Sequence, residues 1–164
     1  MLYGGVVLDL ILSLDPGKTL GYVLAQQVED GAEILRIGTI SGYEEGLRFV
    51  RALPRIDVIV VEDYVVRPVR MSGRNPNNWS REETLKQLAR IEEIAATKES
   101  KIVHQQPSCK PAGYGWAGLK YVPGKAGTHW QDALAHLMYY MVTKLKLAPG
   151  SIRRSPEATV LESP

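Results

Sequence analysis

The sequence predicts an α/β fold in which helices cover a mixed five-stranded sheet. Three observations support this prediction. Short apolar runs of strand length open the chain, and a Pro-Gly turn separates the first two. Farther along, stretches with helical spacing of apolar residues alternate with two more apolar runs. The length of 164 residues suits one domain with a single core.

The first three strands are predicted to form an antiparallel meander. Residues 10–15 are apolar up to a final acid, Asp15, and the Pro-Gly turn leads into a second strand over 21–28. Residues 32–40 alternate between apolar and polar positions, which indicates a third strand.

Helices and strands alternate in the rest of the chain. Capping boxes at Ser80 and Glu83, and at Thr128 and Gln131, mark the starts of two helices. A continuous β-branched run indicates a strand covered on both faces. The predicted elements are a helix over 44–54, a strand over 57–66, a helix over 80–98, a strand over 101–106, and a helix from 128 to about 145.

Connectivity then predicts how the strands are arranged. Right-handed crossovers return the chain beside the first strand, which gives the strand order 3-2-1-4-5. We expect one domain over residues 1–148, with no regular element in the glycine-rich segment 111–127. Residues 149–164 show little periodicity, and we expect them to form a flexible C-terminal tail.

Composition favours a cytoplasmic protein. No apolar run reaches the roughly 18 residues that span a bilayer, and Asp9 interrupts the apolar N-terminal stretch, which lacks a basic start. Cys109 is the single cysteine, so the chain has no internal disulfide and no thiolate zinc cluster. We therefore expect a reducing compartment, in a bacterium or a phage-infected host cell, and no contact with a membrane.

Basic residues concentrate in two stretches without acids, although the net charge is only +2. Such stretches form either a basic surface for nucleic acid or two solvated loops, and charge alone leaves both open. Their basic residues are Arg67, Arg70, Arg74 and Arg81 in 64–81, and Lys101, Lys110, Lys120 and Lys125 in 100–131.

Acidic residues end two of the predicted strands. Asp15 ends the first strand, Glu62 lies near the end of the fourth, and His129 and Asp132 share one side of the last helix. Each alone is explained by a turn, a strand end or a helix cap, but the topology brings all of them to one edge. Carboxylates gathered there favour Mg²⁺ or Mn²⁺. Asp63 follows Glu62 directly, and a slip of one residue would exchange the two.

Three segments resemble a known family. "LSLDPGKTLGYVL", "VIVVEDYVV" and "HWQDALAHLMYY" resemble the acidic motifs of the RuvC-type Holliday junction resolvases, which belong to the ribonuclease H-like nuclease superfamily. The resemblance spans residues 10–146 and implies a ribonuclease H-like nuclease domain over 1–148. By position it assigns the family's aspartate, glutamate and aspartate to Asp15, Glu62 and Asp132, and the position held by Asp or His to His129.

The resemblance also implies an activity. A homodimer would make paired nicks in a four-way DNA junction by Mg²⁺-dependent hydrolysis, and Mn²⁺ would substitute for Mg²⁺. Asp15, Glu62, Asp132 and His129 would hold metal, and Lys110 would steady phosphate charge. The predicted contacts to the DNA backbone are Arg67, Arg70, Arg74, Lys110, Lys120 and Lys125.

Other functions stay open at this point. A ribonuclease H-like nuclease of this kind also acts on other branched DNA or trims ribosomal RNA precursors, and a non-catalytic relative serves as a DNA-binding assembly factor. The acidic turn after the first strand also resembles the phosphate loop of actin-like ATPases and sugar kinases, but those enzymes need a second comparable domain, for which 164 residues leave no room.

Overall fold

A computed structural model describes residues 8–63, 78–122 and 128–162. The strands in this part of the chain are β1 (Leu10–Asp15), β2 (Thr19–Val28), β3 (Gly31–Ser41), β4 (Val58–Glu62), β5 (Lys101–Gln105), β6 (Ile152–Arg154) and β7 (Val160–Glu162). The α-helices are α1 (Tyr43–Ala52), α2 (Asn78–Thr97), α3 (Lys110–Trp116) and α4 (His129–Thr143). None of these helices has both the length and the apolar character needed to cross a bilayer.

One mixed sheet contains all of these strands. Its order is β5-β4-β1-β2-β3-β6, and β7 also pairs with β3. The pairs β1–β2 and β2–β3 are antiparallel, whereas β1–β4 and β4–β5 are parallel. The predicted order 3-2-1-4-5 of the five central strands is therefore confirmed.

The C-terminal segment differs from the expected flexible tail. Residues 152–154 and 160–162 form two short strands that pair with β3. Between them, the Ser155 amide donates to the Ile34 carbonyl at 2.9 Å, and the side chain of Ala158 is buried. Strands of three residues form because they pair with the edge of an existing sheet, and they are too short to show a periodic pattern in the sequence.

Several boundaries also differ from the predictions. Helix α3 lies in the glycine-rich segment for which no element was expected. Helix α2 is described from Asn78, so Ser80 lies within it and not at the predicted start. Thr128 is the N-cap of α4 as predicted, but its side chain makes no capping hydrogen bond. The predicted extension of the fourth strand over residues 64–66 lies outside the described residues.

The pleat of the sheet divides the core into two layers. Leu14 and Val61 point toward α1 and α2, whereas Ile11 and Val60 point toward α4. Because successive side chains of a strand point to opposite faces, the last residues of β1 and β4, Asp15 and Glu62, belong to the α4 face. The sheet therefore presents both acids to the helix that carries His129 and Asp132.

Close backbone contacts fix α4 and α3 in place. The Ser13 hydroxyl donates to the Ala133 carbonyl of α4 at 2.7 Å. A Cβ on Gly21 of β2 would lie 2.1 Å from the His129 carbonyl oxygen, and one on Gly113 of α3 would lie 2.1 Å from that of Ala135. Only glycine allows backbones to approach this closely.

Replacing Gly113 with alanine tests this contact. A methyl group there collides with the backbone of α4, and we expect a loss of about 2 kcal/mol or more in the free energy of unfolding, since overpacked sites typically cost about 1–3 kcal/mol. Gly115→Ala is the matched control, because nothing lies within 4 Å of its Cβ position in the same helix. That variant should be neutral or more stable by about 0.5 kcal/mol. Equal stability of the two variants in urea unfolding would contradict the close contact.

Candidate active site

Asp15 ends β1 with its side chain largely buried. Its Oδ2 lies 2.9 Å from Nδ1 of His129, the first residue of α4. The turn that follows is held from the opposite face of the sheet, since the Gly17 amide donates to Oε1 of Gln87 at 2.8 Å. The position of the carboxylate is thus fixed by both α4 and α2.

Burial raises the pKa of Asp15 above its usual value, although the hydrogen bond from His129 opposes this effect. The charges of Asp132 and Glu62 raise it further, because like charges nearby disfavour ionisation. Asp15 and Glu62 follow directly paired residues of β1 and β4, and Lys110 contacts both Glu62 and Asp132, so the three carboxylates lie at one edge of the sheet. This is the gathering of acids that the topology predicted.

Glu62 ends β4 and receives two donors on one oxygen. Oε2 lies 2.7 Å from Nζ of Lys110 and 2.8 Å from Nε2 of His136. Burial raises the pKa of Glu62, but the hydrogen bonds from His136 and Lys110 outweigh it, so the net shift is downward. Glu62 is therefore ionised at neutral pH.

Asp63, the alternative second acid, does not join this cluster. Its Oδ2 accepts a hydrogen bond at 2.9 Å from the side-chain amide of Gln106. The parity of β4 accounts for the difference, because Val58, Val60 and Glu62 share the face toward α4. Glu62 is the acid that lies near Asp15 and Asp132.

Asp132 lies in the first turn of α4 and is bound by two side chains from the α3 segment. The Tyr114 hydroxyl donates to Oδ1, and Nζ of Lys110 lies 3.3 Å from Oδ2. Burial, the bond to Asp132 and the nearby negative charge all raise the pKa of Tyr114. The phenol therefore keeps its proton and donates a hydrogen bond to the carboxylate at any physiological pH.

Lys110 bridges Glu62 and Asp132 with a single ammonium group. Its side chain is only 17% exposed. Burial alone lowers the pKa of Lys110, but the hydrogen bond from its ammonium to Glu62 and the surrounding carboxylates raise it above the usual value. Lys110 therefore provides a permanent positive charge between two of the three acids.

The expected site for Mg²⁺ or Mn²⁺ has ligands of the right chemical type, but not the right grouping. Carboxylate and imidazole groups suit Mg²⁺ or Mn²⁺. Among the described residues, however, no three His, Cys, Asp or Glu side chains are grouped closely enough to hold a metal ion. The expected four-ligand cluster of Asp15, Glu62, Asp132 and His129 is not formed in this arrangement, because the Lys110 ammonium lies between Glu62 and Asp132.

His136 follows Asp132 by four residues, and this spacing predicts that it either supports the site or lies on the helix surface. It is fully buried and contacts Glu62, as well as Gln105 and Cys109 on its other side. Burial raises the pKa of the Cys109 thiol to about 11, so the thiol stays protonated. Sequence reasoning missed Gln105 and the pairing of Asp132 with Tyr114, which lies in the unpredicted helix α3. The spacing of four residues from Asp132 was the one sequence signal for His136.

The predicted DNA-binding residues fall into three groups. Arg67, Arg70, Arg74 and Lys125 lie outside the described residues. Lys120 is exposed. Lys110 is engaged by Glu62 and Asp132, so a phosphate would compete with these carboxylates for its ammonium.

Comparison with known proteins gives a likeness in structure. No family model matches the sequence, and no curated protein sequence matches it. The chain is similar to RuvC of T. thermophilus in complex with Holliday junction substrate, with a TM-score of 0.57, 15% identity, and coverage of 82% of this chain and 96% of that one. A second Thermus thermophilus RuvC structure gives a TM-score of 0.53 at 15% identity, covering 85% and 98%.

These similarities establish the fold. The chain has a ribonuclease H-like fold, the fold of the RuvC structures, with the sheet order 5-4-1-2-3 and helices on both faces. The fold class predicted from the sequence is therefore confirmed.

Replacing Lys110 with methionine tests the electrostatic balance of the site. Exposed ion pairs contribute about 0–1 kcal/mol, and breaking a buried pair costs about 3–5 kcal/mol. Lys110 lies between these cases, so we expect the free energy of unfolding in metal-free buffer to fall by about 2 kcal/mol. Lys86→Met is the control, because Lys86 pairs with Glu83 at 3.2 Å on the exposed surface and its loss should cost under about 0.5 kcal/mol. Equal losses would contradict a buried bridge.

Replacing Asp15 with asparagine should lower the pKa of His129. The hydrogen bond to Asp15 raises the pKa of this imidazole, more than burial lowers it. Its folded pKa thus exceeds the unfolded value of about 6.5, so the pairing stabilises fully below about pH 6.5 and is lost as the pH rises through the folded pKa. NMR titration of the ring nitrogens measures the pKa of His129 in the wild type and in Asp15→Asn, with His104 as an internal reference. An unchanged pKa for His129 in Asp15→Asn would refute the pairing.

Proposed function

We propose that this protein is a Mg²⁺-dependent endonuclease that resolves four-way DNA junctions as a homodimer. The observation that carries the proposal is the meeting of Asp15, Glu62 and Asp132, with His129, at one end of the sheet. These residues come from two strands and a helix that are far apart in the sequence. A partly buried cluster of acids is costly for folding, so its presence favours a role in binding cations.

The fold supports the choice of substrate. The T. thermophilus RuvC structure, which contains a Holliday junction, aligns over 96% of its own length. The motifs that resemble this family carry the acids of the cluster. Together the fold and the motifs favour a four-way junction over other nucleic acids.

Asp15, Glu62, Asp132 and His129 would hold the divalent cation. When bound, it would activate water and stabilise charge on the leaving oxygen in phosphodiester hydrolysis. Glu62 is ionised without the cation, and Asp15 would be held ionised by it, because a nearby positive charge opposes the effect of burial. Mn²⁺ would substitute, since it accepts the same oxygen and imidazole donors.

His129 and Lys110 would act on protons and phosphate. Asp15 orients the His129 ring through Nδ1, so Nε2 is left for one of two roles: it would hold the cation, or, since the side chain is half-exposed, it would accept the proton that a water molecule gives up. Lys110 would exchange its contacts with Glu62 and Asp132 for a phosphate oxygen of the substrate. Its permanent charge suits this role, because the pentacovalent phosphate carries added negative charge.

DNA binding would depend on the basic segments and on two subunits. Arg67, Arg70, Arg74, Lys120 and Lys125 would contact phosphates, so affinity should fall steeply with salt. A homodimer places two active sites on one junction, which accounts for paired nicks in opposite strands. An incision by one subunit alone would leave the branch unresolved.

Cleavage of a synthetic four-way junction tests the proposal. With Mg²⁺ the wild-type protein should make symmetric nicks, whereas Asp15→Asn and Glu62→Gln should bind the junction and cut it at least about 100-fold more slowly, since each removes a charge that would hold the cation. Asp63→Asn is the matched control, because this neighbouring acid lies outside the cluster. It should cut like the wild type.

Other outcomes distinguish the alternatives. Preferential cleavage of a flap or an RNA hairpin would assign a different substrate to the same chemistry. Junction binding without cleavage in Mg²⁺ or Mn²⁺ would indicate an assembly factor. Wild-type rates in Asp15→Asn would refute the assignment of the active site.

A further inference from the structure

His136 lies beneath the candidate active site and has no contact with solvent, since its side chain is 0% exposed. It belongs to α4, one turn after Asp132 and two turns after His129, so the three residues share one side of the helix. Burying an imidazole costs free energy unless both of its ring nitrogens have hydrogen-bond partners. The partners of this ring therefore indicate what it does.

Both ring nitrogens contact polar side chains of the site. Nε2 lies 2.8 Å from Oε2 of Glu62. Nδ1 lies 2.9 Å from Oε1 of Gln105 and 3.2 Å from Sγ of Cys109. A carboxylate only accepts hydrogen bonds, so Nε2 carries the proton that it donates to Glu62. The ring is held on one side by Gln105 and Cys109, and on the other it holds Glu62.

The register of the sheet produces this arrangement. Glu62 and Gln105 are direct partners in the parallel pair β4–β5, so their side chains leave the same face side by side. His136 is inserted from α4 between these two side chains. Its position is fixed by the backbone of two strands and one helix, which makes it a rigid support for the Glu62 carboxylate.

Packing alone does not explain a histidine at this position. The buried neighbours Ala133 and Leu137 on the same helix are apolar, and an apolar residue would fill the space without the cost of burying an imidazole. The oxygen that His136 binds is also the one that Lys110 binds. Among the described residues the other oxygen, Oε1, has no hydrogen-bond partner.

We infer that His136 is the positioning residue of Glu62, which holds Oε2 so that Oε1 is presented to the divalent cation. This inference rests on the proposed function, because it assumes that Glu62 is a metal ligand. Carboxylates that bind metals are commonly oriented by such hydrogen bonds, whose loss weakens metal binding about 10- to 100-fold. His136 itself does not touch the cation or the substrate.

Binding of Mn²⁺ alone, followed by calorimetry or by electron paramagnetic resonance of the free ion, tests the inference without cleavage. In His136→Leu the Kd for Mn²⁺ should rise about 10- to 100-fold. In His136→Gln the side-chain amide can still donate to Glu62, and affinity should return to within about threefold of the wild type. A residue that only fills the core would not give this rescue.

His104→Leu is the matched control, because His104 also bonds an acid, Glu92 at 3.2 Å, but on the exposed α2 face. Its Kd should equal that of the wild type. Thermal unfolding shows whether each variant is folded. If His136→Leu is unfolded, Gln105→Met removes a partner of Nδ1 while leaving Glu62 intact, and should raise the Kd in the same direction.

The outcomes separate this inference from the proposed function. If the wild type binds Mn²⁺ and a folded His136→Leu binds it equally well, the inference alone fails. It also fails if His136→Gln binds Mn²⁺ no better than His136→Leu, or if Gln105→Met, used in its place, leaves the Kd unchanged. If the wild type binds no Mn²⁺ at all, the metal-dependent function fails and the inference fails with it.

Discussion

Repulsion among three carboxylates, one buried and two partly buried, is the constraint around which this molecule is organised. Like charges in a partly desolvated site cost several kcal/mol, so each acid needs a donor from the chain itself. His129 pairs with Asp15, and the Tyr114 hydroxyl donates a hydrogen bond to Asp132. The Lys110 ammonium pairs with both Asp132 and Glu62. These partners come from α3 and α4, which explains why both helices approach their supports through glycine.

The sequence was informative wherever a periodic pattern determined the structure. Strand order and the acids on β1 and β4 followed from apolar runs, connectivity and the alternation of side chains. The same alternation excludes Asp63 from the cluster, but only once the register of β4 is known. The fold and the membership of the acidic cluster were therefore accessible, whereas the side-chain pairings within it were not.

Three features escaped prediction for physical reasons. Helix α3 needs Gly113 because the helix lies against the backbone of α4 at that residue, and glycine lowers the helix propensity of the segment. The partners of His136 could not be predicted, because Glu62 and Gln105 are distant in sequence and meet only in the folded sheet. The strands β6 and β7 exist through pairing with β3, a tertiary interaction that overrides weak local preference.

Those two C-terminal strands have a consequence for solubility. β3 spans eleven residues, and without β6 and β7 it would be a long, exposed edge strand of the sheet. The unpaired backbone amides of such an edge strand can pair with strands of other molecules, which leads to aggregation. By pairing with Ala32–Ile34 and Ile37–Thr39, β6 and β7 cover this edge and block such self-association, while β1 and β4, whose ends carry the acids, lie in the interior of the sheet.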